Sequence, residues 1–231
     1  MSEISNITSA KNPAKSYVGE IKKSIPSIDM SLNSKYYKFD NVPLEFLEIQ
    51  IQDVFIQKKN KTLKQTIEHK RYKKLHDEAR EKYDAQLDNP IGEFLYYLKT
   101  KLNPFYRKFL NTYGDLTYCT FRITQEDRLT QKGLYIYTVD NQIKYIGRCK
   151  DSFKKRINQG YGKIHPKNCY KDGQSTNCHL NALISENIRS VAFYVLPLTD
   201  NKEIETTERE LIQAYEPTWN IALNRKKLST K

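Results

Sequence analysis

The sequence lacks any apolar run long enough to cross a bilayer, which takes roughly 20 residues. Its most apolar stretch, VAFYVLPL at 191–198, has only the length of a strand. The first 30 residues also lack the apolar core of a signal peptide. These absences argue against a membrane-spanning or exported protein. We therefore expect no membrane partner and a cytoplasmic location.

Closely spaced cysteine pairs are absent as well. The four cysteines are Cys119, Cys149, Cys169 and Cys178. None of them has the C-x₂₋₄-C spacing of a zinc motif, although Cys169, Cys178 and His179 leave a zinc site open as an alternative. In a cytoplasmic protein we expect reduced thiols that are buried or half-buried.

Acidic residues are scarce relative to basic ones. The 231 residues include 39 Lys and Arg against 27 Asp and Glu, which gives a net charge of +12. Such a surplus favours a polyanionic partner, either nucleic acid or an acidic membrane surface. Seventeen tyrosines argue against a purely disordered basic chain, because disordered segments are poor in aromatic residues.

The N-terminal half divides into two parts by composition. Residues 1–35 are rich in Ser, Asn and Lys without clear periodicity, which predicts a flexible arm. Residues 36–130 are basic, and their apolar spacing predicts a mostly helical region that binds DNA or forms a dimer. At the other end of the chain, residues 225–231 form a basic tail.

Helical spacing in the region 36–130 begins after Pro43. Apolar residues from Leu44 to Phe55 recur every three or four positions, which predicts one helix. An i+4 series over 58–87 predicts a long amphipathic helix, whose basic face is either an ordinary solvated surface or a DNA contact. Further helices are expected at 91–102 and 104–111, and a strand or an extended linker at 117–123.

Residues 131–224 show a different pattern, in which strands alternate with helices. Strands are expected at 134–139, 143–147 and 190–196, with a tight turn at Asp140-Asn141 between the first two. Helices are expected at 152–160, 177–185 and 202–215, and Asn177 is the expected cap of the second. This order predicts a small α/β (α+β) domain with a three-stranded sheet flanked by helices.

Five short motifs follow one another in this C-terminal part. They are GLY at 133–135, YIG at 145–147, KKR at 154–156, E-x-x-L-I from Glu208, and PTWN at 217–220. Their order and spacing resemble the signature of the GIY-YIG nuclease superfamily, with Leu134 in place of the usual Ile. The resemblance covers about residues 132–224.

The resemblance implies Mg²⁺-dependent hydrolysis of DNA phosphodiester bonds, with Mn²⁺ as a substitute ion. Glu208 is then the single metal ligand, with Glu205 and Glu210 as the alternative carboxylates. Arg156 is suited to bridge phosphate oxygens bidentately. Tyr135 is implied to activate the attacking water, although nearby cations or a metal-bound water must then lower its pKa from about 10. Tyr145 is implied to position the phosphate or the water.

The sequence departs from the family pattern after Arg156. The family places a Tyr or His one helical turn later, but position i+4 here is Gly160. Tyr161 at i+5 is our preferred second acid/base, and His165 is the alternative. Asn220 is expected to orient the site through hydrogen bonds.

Basic side chains surround these positions in the sequence. The expected phosphate contacts are Arg148, Lys150, Lys154, Lys155 and Lys163. The loop 161–174 is a candidate for base contacts through Lys163, His165, Lys167, Asn168 and Lys171.

Three functions agree with these features. The first is a sequence-specific type II restriction-type endonuclease acting on double-stranded DNA, because the motifs stand behind a basic, mostly helical segment of about 130 residues. The second is a phage or mobile-element (homing-type) nuclease of looser specificity, and the third is a non-catalytic, basic nucleic-acid-binding protein. One such site cuts one strand, so a double-strand cutter needs a homodimer or repeated nicking. An adjacent methyltransferase gene would favour the first function.

Overall fold

The computed structural model describes residues 25–221. The basic tail 225–231 and most of the predicted arm lie outside this range. The strands are β1 (Ser27–Leu32), β2 (Lys35–Asn41), β3 (Leu44–Ile51), β4 (Tyr118–Ile123), β5 (Gly133–Val139), β6 (Gln142–Cys149) and β7 (Val191–Pro197). The α-helices are α1 (Leu63–Ile67), α2 (His76–Tyr83), α3 (Ile91–Thr100), α4 (Glu126–Leu129), α5 (Ser175–Glu186) and α6 (Asn201–Tyr215). A π-helix spans Lys154–Tyr161, and 3₁₀ turns lie at Val54–Gln57, Lys73–Leu75, Asp84–Gln86, Pro104–Lys108 and Pro166–Cys169.

The fold is mixed α+β, and the prediction of a three-stranded sheet is wrong. The main sheet has five strands in the order β1-β2-β7-β5-β6, and its neighbouring strands are antiparallel. A second sheet pairs β3 with β4. The two additional strands of the main sheet, β1 and β2, form a hairpin that joins β7 through Asp40 and Asn41.

The β1–β2 hairpin also shortens the predicted arm, because residues 27–35 are not part of a mobile segment. Asn33 and Ser34 both have positive φ, as a two-residue hairpin turn requires. Met30 and Phe39 are buried on one face of the hairpin against α6 residues. The alternation of apolar and polar side chains in β1 and β2 is short, and the Ser- and Lys-rich composition around it made it hard to recognise in the sequence.

The predicted helix after Pro43 is wrong, because Leu44–Ile51 is strand β3. The pairing of β3 with β4 is irregular between Phe46 and Glu48. Such a bulge shifts the apolar side chains out of strict alternation. The resulting three- and four-residue spacings imitate a helix. The region 36–130 is therefore not mostly helical, since β2, β3 and β4 fall within it.

The predicted long helix over 58–87 is also wrong, because the chain there forms short pieces. Thr62 and Gln65 form a capping box that begins α1. Tyr72 then leaves the helical path, and its buried ring stacks on Phe109. Its hydroxyl donates to Asp172 at 2.6 Å. This tertiary contact outweighs the local i+4 pattern. By contrast, the helix predicted at 91–102 is confirmed as α3, the segment 104–111 contains only a 3₁₀ turn, and 117–123 is a strand.

The secondary structure predicted for the C-terminal part is confirmed at the level of its elements. The five-residue β-branched and aromatic run in β5 is buried along its whole length, as expected for a central strand. Asp140 and Asn141 have positive φ in the turn to β6. The cap predicted at Asn177 is wrong, because α5 begins at Ser175. Asp200 caps α6 by accepting from the Glu203 amide at 2.6 Å.

The main sheet separates two apolar clusters. On one face, Tyr135 packs with Phe153, Ile157 and Leu180 beneath the π-helix and α5. On the other face, Leu134 and other sheet residues pack against α6. A third cluster contains residues of α1 to α3 together with Cys169, Tyr170 and Cys178. This cluster therefore combines residues from both sides of position 131, where the predicted C-terminal part begins. Within the described residues, no helix combines the length and the apolar character needed to span a membrane.

Candidate active site

Three tyrosine hydroxyls meet on the face of the sheet beneath the π-helix. The β5–β6 register pairs Tyr135 with Gly147 and Tyr137 with Tyr145, so that Tyr135 and Tyr145 point to the same side. Their rings are stacked with centroids 6.1 Å apart. The Tyr135 hydroxyl donates to the Tyr161 hydroxyl at 3.3 Å, and the Tyr145 hydroxyl lies 3.4 Å from the same oxygen.

The π-helix brings Tyr161 to the face that carries Arg156. In a π-helix the hydrogen bonds run from i to i+5 rather than i to i+4, and the Gly162 amide accordingly donates to the Ile157 carbonyl at 2.7 Å. One wide turn therefore separates Arg156 from Tyr161. The guanidinium carbon of Arg156 lies 5.9 Å from the centre of the Tyr161 ring. The five-residue spacing between Arg156 and Tyr161 thus still places the two side chains together.

Two asparagines that no sequence motif marks, Asn158 and Asn181, hold the π-helix in place. The Asn158 amide group bonds both the amide and the carbonyl of Ile123. Asn181, which is fully buried on α5, bonds the amide and carbonyl of Cys119 in the same way. Asn181 also donates to the Tyr161 carbonyl at 2.7 Å. A polar residue on the buried face of α5 was the available signal for Asn181.

Glu208 lies beside this cluster and is paired with Arg148. Glu208 follows the buried Ile204 by one turn of α6, which directs it towards the sheet. Nη1 of Arg148, on β6, lies 2.6 Å from a carboxylate oxygen of Glu208. The Glu208 side chain is 14% exposed and the Arg148 side chain 40%. One turn earlier on α6, Glu205 pairs with Lys150.

Burial and charge act in opposite directions on these groups. Burial raises the pKa of Glu208, and the positive charges of Arg148 and Arg156 partly counteract it. Burial likewise raises the pKa of Tyr135 well above its ordinary value of 10, and the charge of Arg156 lowers it by less. Tyr135 is therefore a protonated phenol at neutral pH. The cations near it do not make it a base, contrary to what its implied role requires.

The surroundings of Glu208 fit a magnesium ion that is held by a single protein carboxylate. Mg²⁺ keeps several waters and commonly uses one or two protein carboxylates. Glu208 supplies one partly exposed carboxylate beside two arginines and three phenols. No group of three or more His, Cys, Asp or Glu residues in the range 25–221 is arranged to hold a metal. A single-carboxylate site does not need such a group.

The remaining predicted site residues take several different positions. Asn220 is buried, and its side-chain amide group bonds the amide and carbonyl of Ile146 at 2.9 and 2.7 Å. It therefore fixes the edge strand β6, which carries Tyr145 and Arg148. His165 is exposed in the loop before the 3₁₀ turn at Pro166, and its backbone amide and carbonyl bond Asn168 rather than the tyrosines. Asn168 is buried and its amide oxygen accepts from the His165 amide, so its side chain is used within the loop.

The predicted phosphate contacts are exposed or partly exposed cations. Lys154 and Lys155 stand on the π-helix next to Arg156 and are exposed. Lys163 and Lys167 are exposed in the following loop. Lys150 is partly neutralised by Glu205, and Arg148 by Glu208. The free positive charge close to the tyrosines therefore lies mainly on the π-helix.

All four cysteines are buried free thiols. Burial raises the pKa of Cys119 to about 12, which keeps its thiol protonated. None of these thiols takes part in the contacts between the tyrosines, Arg156 and Glu208 described above. No family model, no curated protein and no solved structure matches this chain.

Proposed function

We propose that this chain is a Mg²⁺-dependent endodeoxyribonuclease of the GIY-YIG type that cuts double-stranded DNA. The observation that carries the proposal is the meeting of Tyr135, Tyr145, Tyr161, Arg156 and Glu208 around one corner of the sheet. These residues lie on β5, β6, the π-helix and α6, up to 73 positions apart in the chain. A solely structural tyrosine cluster would not require an arginine and a carboxylate at its margin.

Each group has a defined task in the proposed hydrolysis. Glu208 holds the Mg²⁺, which when bound supplies positive charge to the phosphate and to the departing oxygen. Arg156 binds a non-bridging phosphate oxygen and stabilises the charge that develops in the transition state. Tyr135 stays protonated and donates to Tyr161. The Tyr161 and Tyr145 hydroxyls then orient the attacking water. As its oxygen bonds to the phosphorus and the bond to the departing oxygen breaks, its proton passes to a phosphate oxygen of the substrate.

A restriction-type role is the form of this activity that we favour. A segment of about 130 residues with more Lys and Arg than Asp and Glu precedes the site, and exposed lysines continue along the π-helix and the following loop. These residues supply contacts along a duplex, and a homodimer would bring one site to each strand. Buried free thiols agree with a reducing compartment such as the cytoplasm.

The test is cleavage of supercoiled plasmid with and without Mg²⁺. Glu208→Ala is expected to abolish cleavage while still binding DNA in a gel-shift assay, because the phosphate contacts remain. The matched control is Glu205→Ala, which removes the same side chain one turn away and is expected to cut. Absence of cutting by the wild-type protein at every Mg²⁺ and Mn²⁺ concentration would contradict the proposal and leave a basic DNA-binding protein.

The digested ends distinguish the two kinds of nuclease. Discrete fragments whose sequenced ends share one motif indicate a restriction-type enzyme. A smear of ends without a common motif indicates a nuclease of looser specificity.

A further inference from the structure

Glu208, the proposed Mg²⁺ ligand, already has a positively charged partner. The Arg148 guanidinium lies 2.6 Å from its carboxylate oxygen, and the other terminal nitrogen of Arg148 lies 4.0 Å from Glu205. Arg148 belongs to the edge strand β6, and its side chain is 40% exposed. The guanidinium is thus placed to leave the carboxylate without disturbing a packed core.

A guanidinium and a divalent cation compete for the same carboxylate. Arginine stays charged at every accessible pH and offers only hydrogen-bond donors. It therefore repels a second cation at Glu208 and occupies an oxygen that the ion needs. A DNA phosphate offers Arg148 an alternative partner with matching bidentate geometry.

We infer that Arg148 is a positioning residue that covers Glu208 until DNA arrives and then moves to a phosphate. Cation binding and DNA binding are coupled as a result, because each event opens the same ion pair. Reciprocity requires that DNA tightens metal binding by the same factor by which the metal tightens DNA binding. The inference rests on the proposed function, since it takes Glu208 to be the metal ligand.

The experiment measures Mn²⁺ binding to the free protein without DNA. Binding is followed by the loss of the electron paramagnetic resonance signal of the free hydrated ion, at pH 8 so that the carboxyl groups are ionised. Arg148→Gln is expected to bind Mn²⁺ about tenfold more tightly than the wild type, since it removes a charge-assisted hydrogen bond that competes with the ion. A residue with a merely supporting role would loosen Glu208 on removal and weaken binding.

Two further variants show whether the gain arises at Glu208. The double variant Arg148→Gln with Glu208→Ala is expected to lose the tighter Mn²⁺ binding. Arg122→Gln is the matched control, because Arg122 forms an ion pair of similar length, 2.7 Å, with Glu45 on the second sheet. That variant loses the same charge and frees a carboxylate, but it is expected to bind Mn²⁺ as the wild type does.

Unchanged or weaker binding by Arg148→Gln overturns the inference, as does an equal gain in Arg122→Gln or a gain that survives Glu208→Ala. The titration needs no turnover, so its result is separate from plasmid cleavage. A wild-type protein that cuts DNA while Arg148→Gln shows no gain defeats this inference alone. A wild-type protein that never cuts defeats the proposed nuclease activity instead.

Discussion

The Tyr135 ring lies against the backbone of Gly147 so closely that no side chain fits between them. A Cβ atom on Gly147 would stand 2.5 to 2.7 Å from three atoms of the Tyr135 ring end, including its hydroxyl oxygen. The two residues are paired across β5 and β6. Position 147 of the YIG motif therefore requires glycine, because any larger residue would take the space through which the Tyr135 phenol reaches Tyr161.

Gly147→Ala is expected to displace Tyr135 and to lower both stability and cleavage. Overpacking of this kind costs about 1–3 kcal/mol in the free energy of unfolding, which urea denaturation measures. Gly160→Ala is the matched control, because its Cβ would meet only the Lys155 carbonyl oxygen at an ordinary 3.5 Å. It should leave stability unchanged or raise it, since alanine is favoured over glycine in helices. Equal losses in both variants would show that the contact with Tyr135 is not the cause.

Removal of the Tyr161 hydroxyl should affect catalysis more than stability. Tyr161→Phe takes away the acceptor of the Tyr135 hydroxyl, at an expected cost of about 1 kcal/mol in the free energy of unfolding. Because this hydroxyl orients the water in the proposed reaction, plasmid cleavage should fall by roughly 100-fold, as it does when a reacting group is misplaced. Tyr137→Phe is the control, because the buried Tyr137 hydroxyl has no hydrogen-bond partner among residues 25–221. That variant is expected to cut normally and to be equally or more stable.

Arg156 and Lys155 are neighbours on the π-helix, but we expect Arg156 to control the cleavage rate and Lys155 to control the affinity for DNA. Both side chains are exposed, but the Arg156 guanidinium also lies over the Tyr161 ring. Arg156→Ala should lower the single-turnover cleavage rate at saturating DNA by roughly 100-fold, as removal of other transition-state contacts does. Lys155→Ala should keep that rate but bind DNA more weakly, with a shallower dependence on salt. A normal rate in Arg156→Ala would remove it from the proposed catalytic group.

Local patterns predicted the parts of the molecule whose structure is decided locally. The β5–β6 hairpin follows from an aromatic and β-branched run on either side of Asp140-Asn141, and the helix expected at 202–215 is α6, which ends before Pro217. The β3 bulge and the entry of Tyr72 into the core escaped prediction, because cross-strand and tertiary contacts decide them.

The candidate site shows the same division. The motifs identified its residue types, but its geometry depends on contacts that are distant in sequence. The π-helix places Arg156 and Tyr161 on one face although they are five residues apart. The i+4 spacing of an ordinary α-helix does not predict this arrangement. The pairing of Arg148 with Glu208 joins positions 60 residues apart, and no local pattern indicates it.

The buried phenols also set an alkaline limit on stability. Burial raises the pKa values of Tyr135, Tyr137 and Tyr145 well above the ordinary value of 10. Above pH 10 the unfolded chain releases these phenolic protons while the folded protein keeps them. The folded state then binds more protons, so the free energy of unfolding falls as the pH rises, and below pH 10 this contribution is fully present.

Urea denaturation between pH 8 and pH 11.5 measures this effect. Each buried phenol is expected to lower the free energy of unfolding by up to about 1.4 kcal/mol for each pH unit above 10. Tyr137→Phe removes one such phenol without removing a hydrogen bond, so its stability should fall less steeply than that of the wild type. Tyr36→Phe is the control, because the Tyr36 ring is 84% exposed in the folded protein, and its slope should match the wild type. If the Tyr137→Phe and wild-type slopes coincide, the Tyr137 phenol ionises equally in both states and is not held in a water-excluded core.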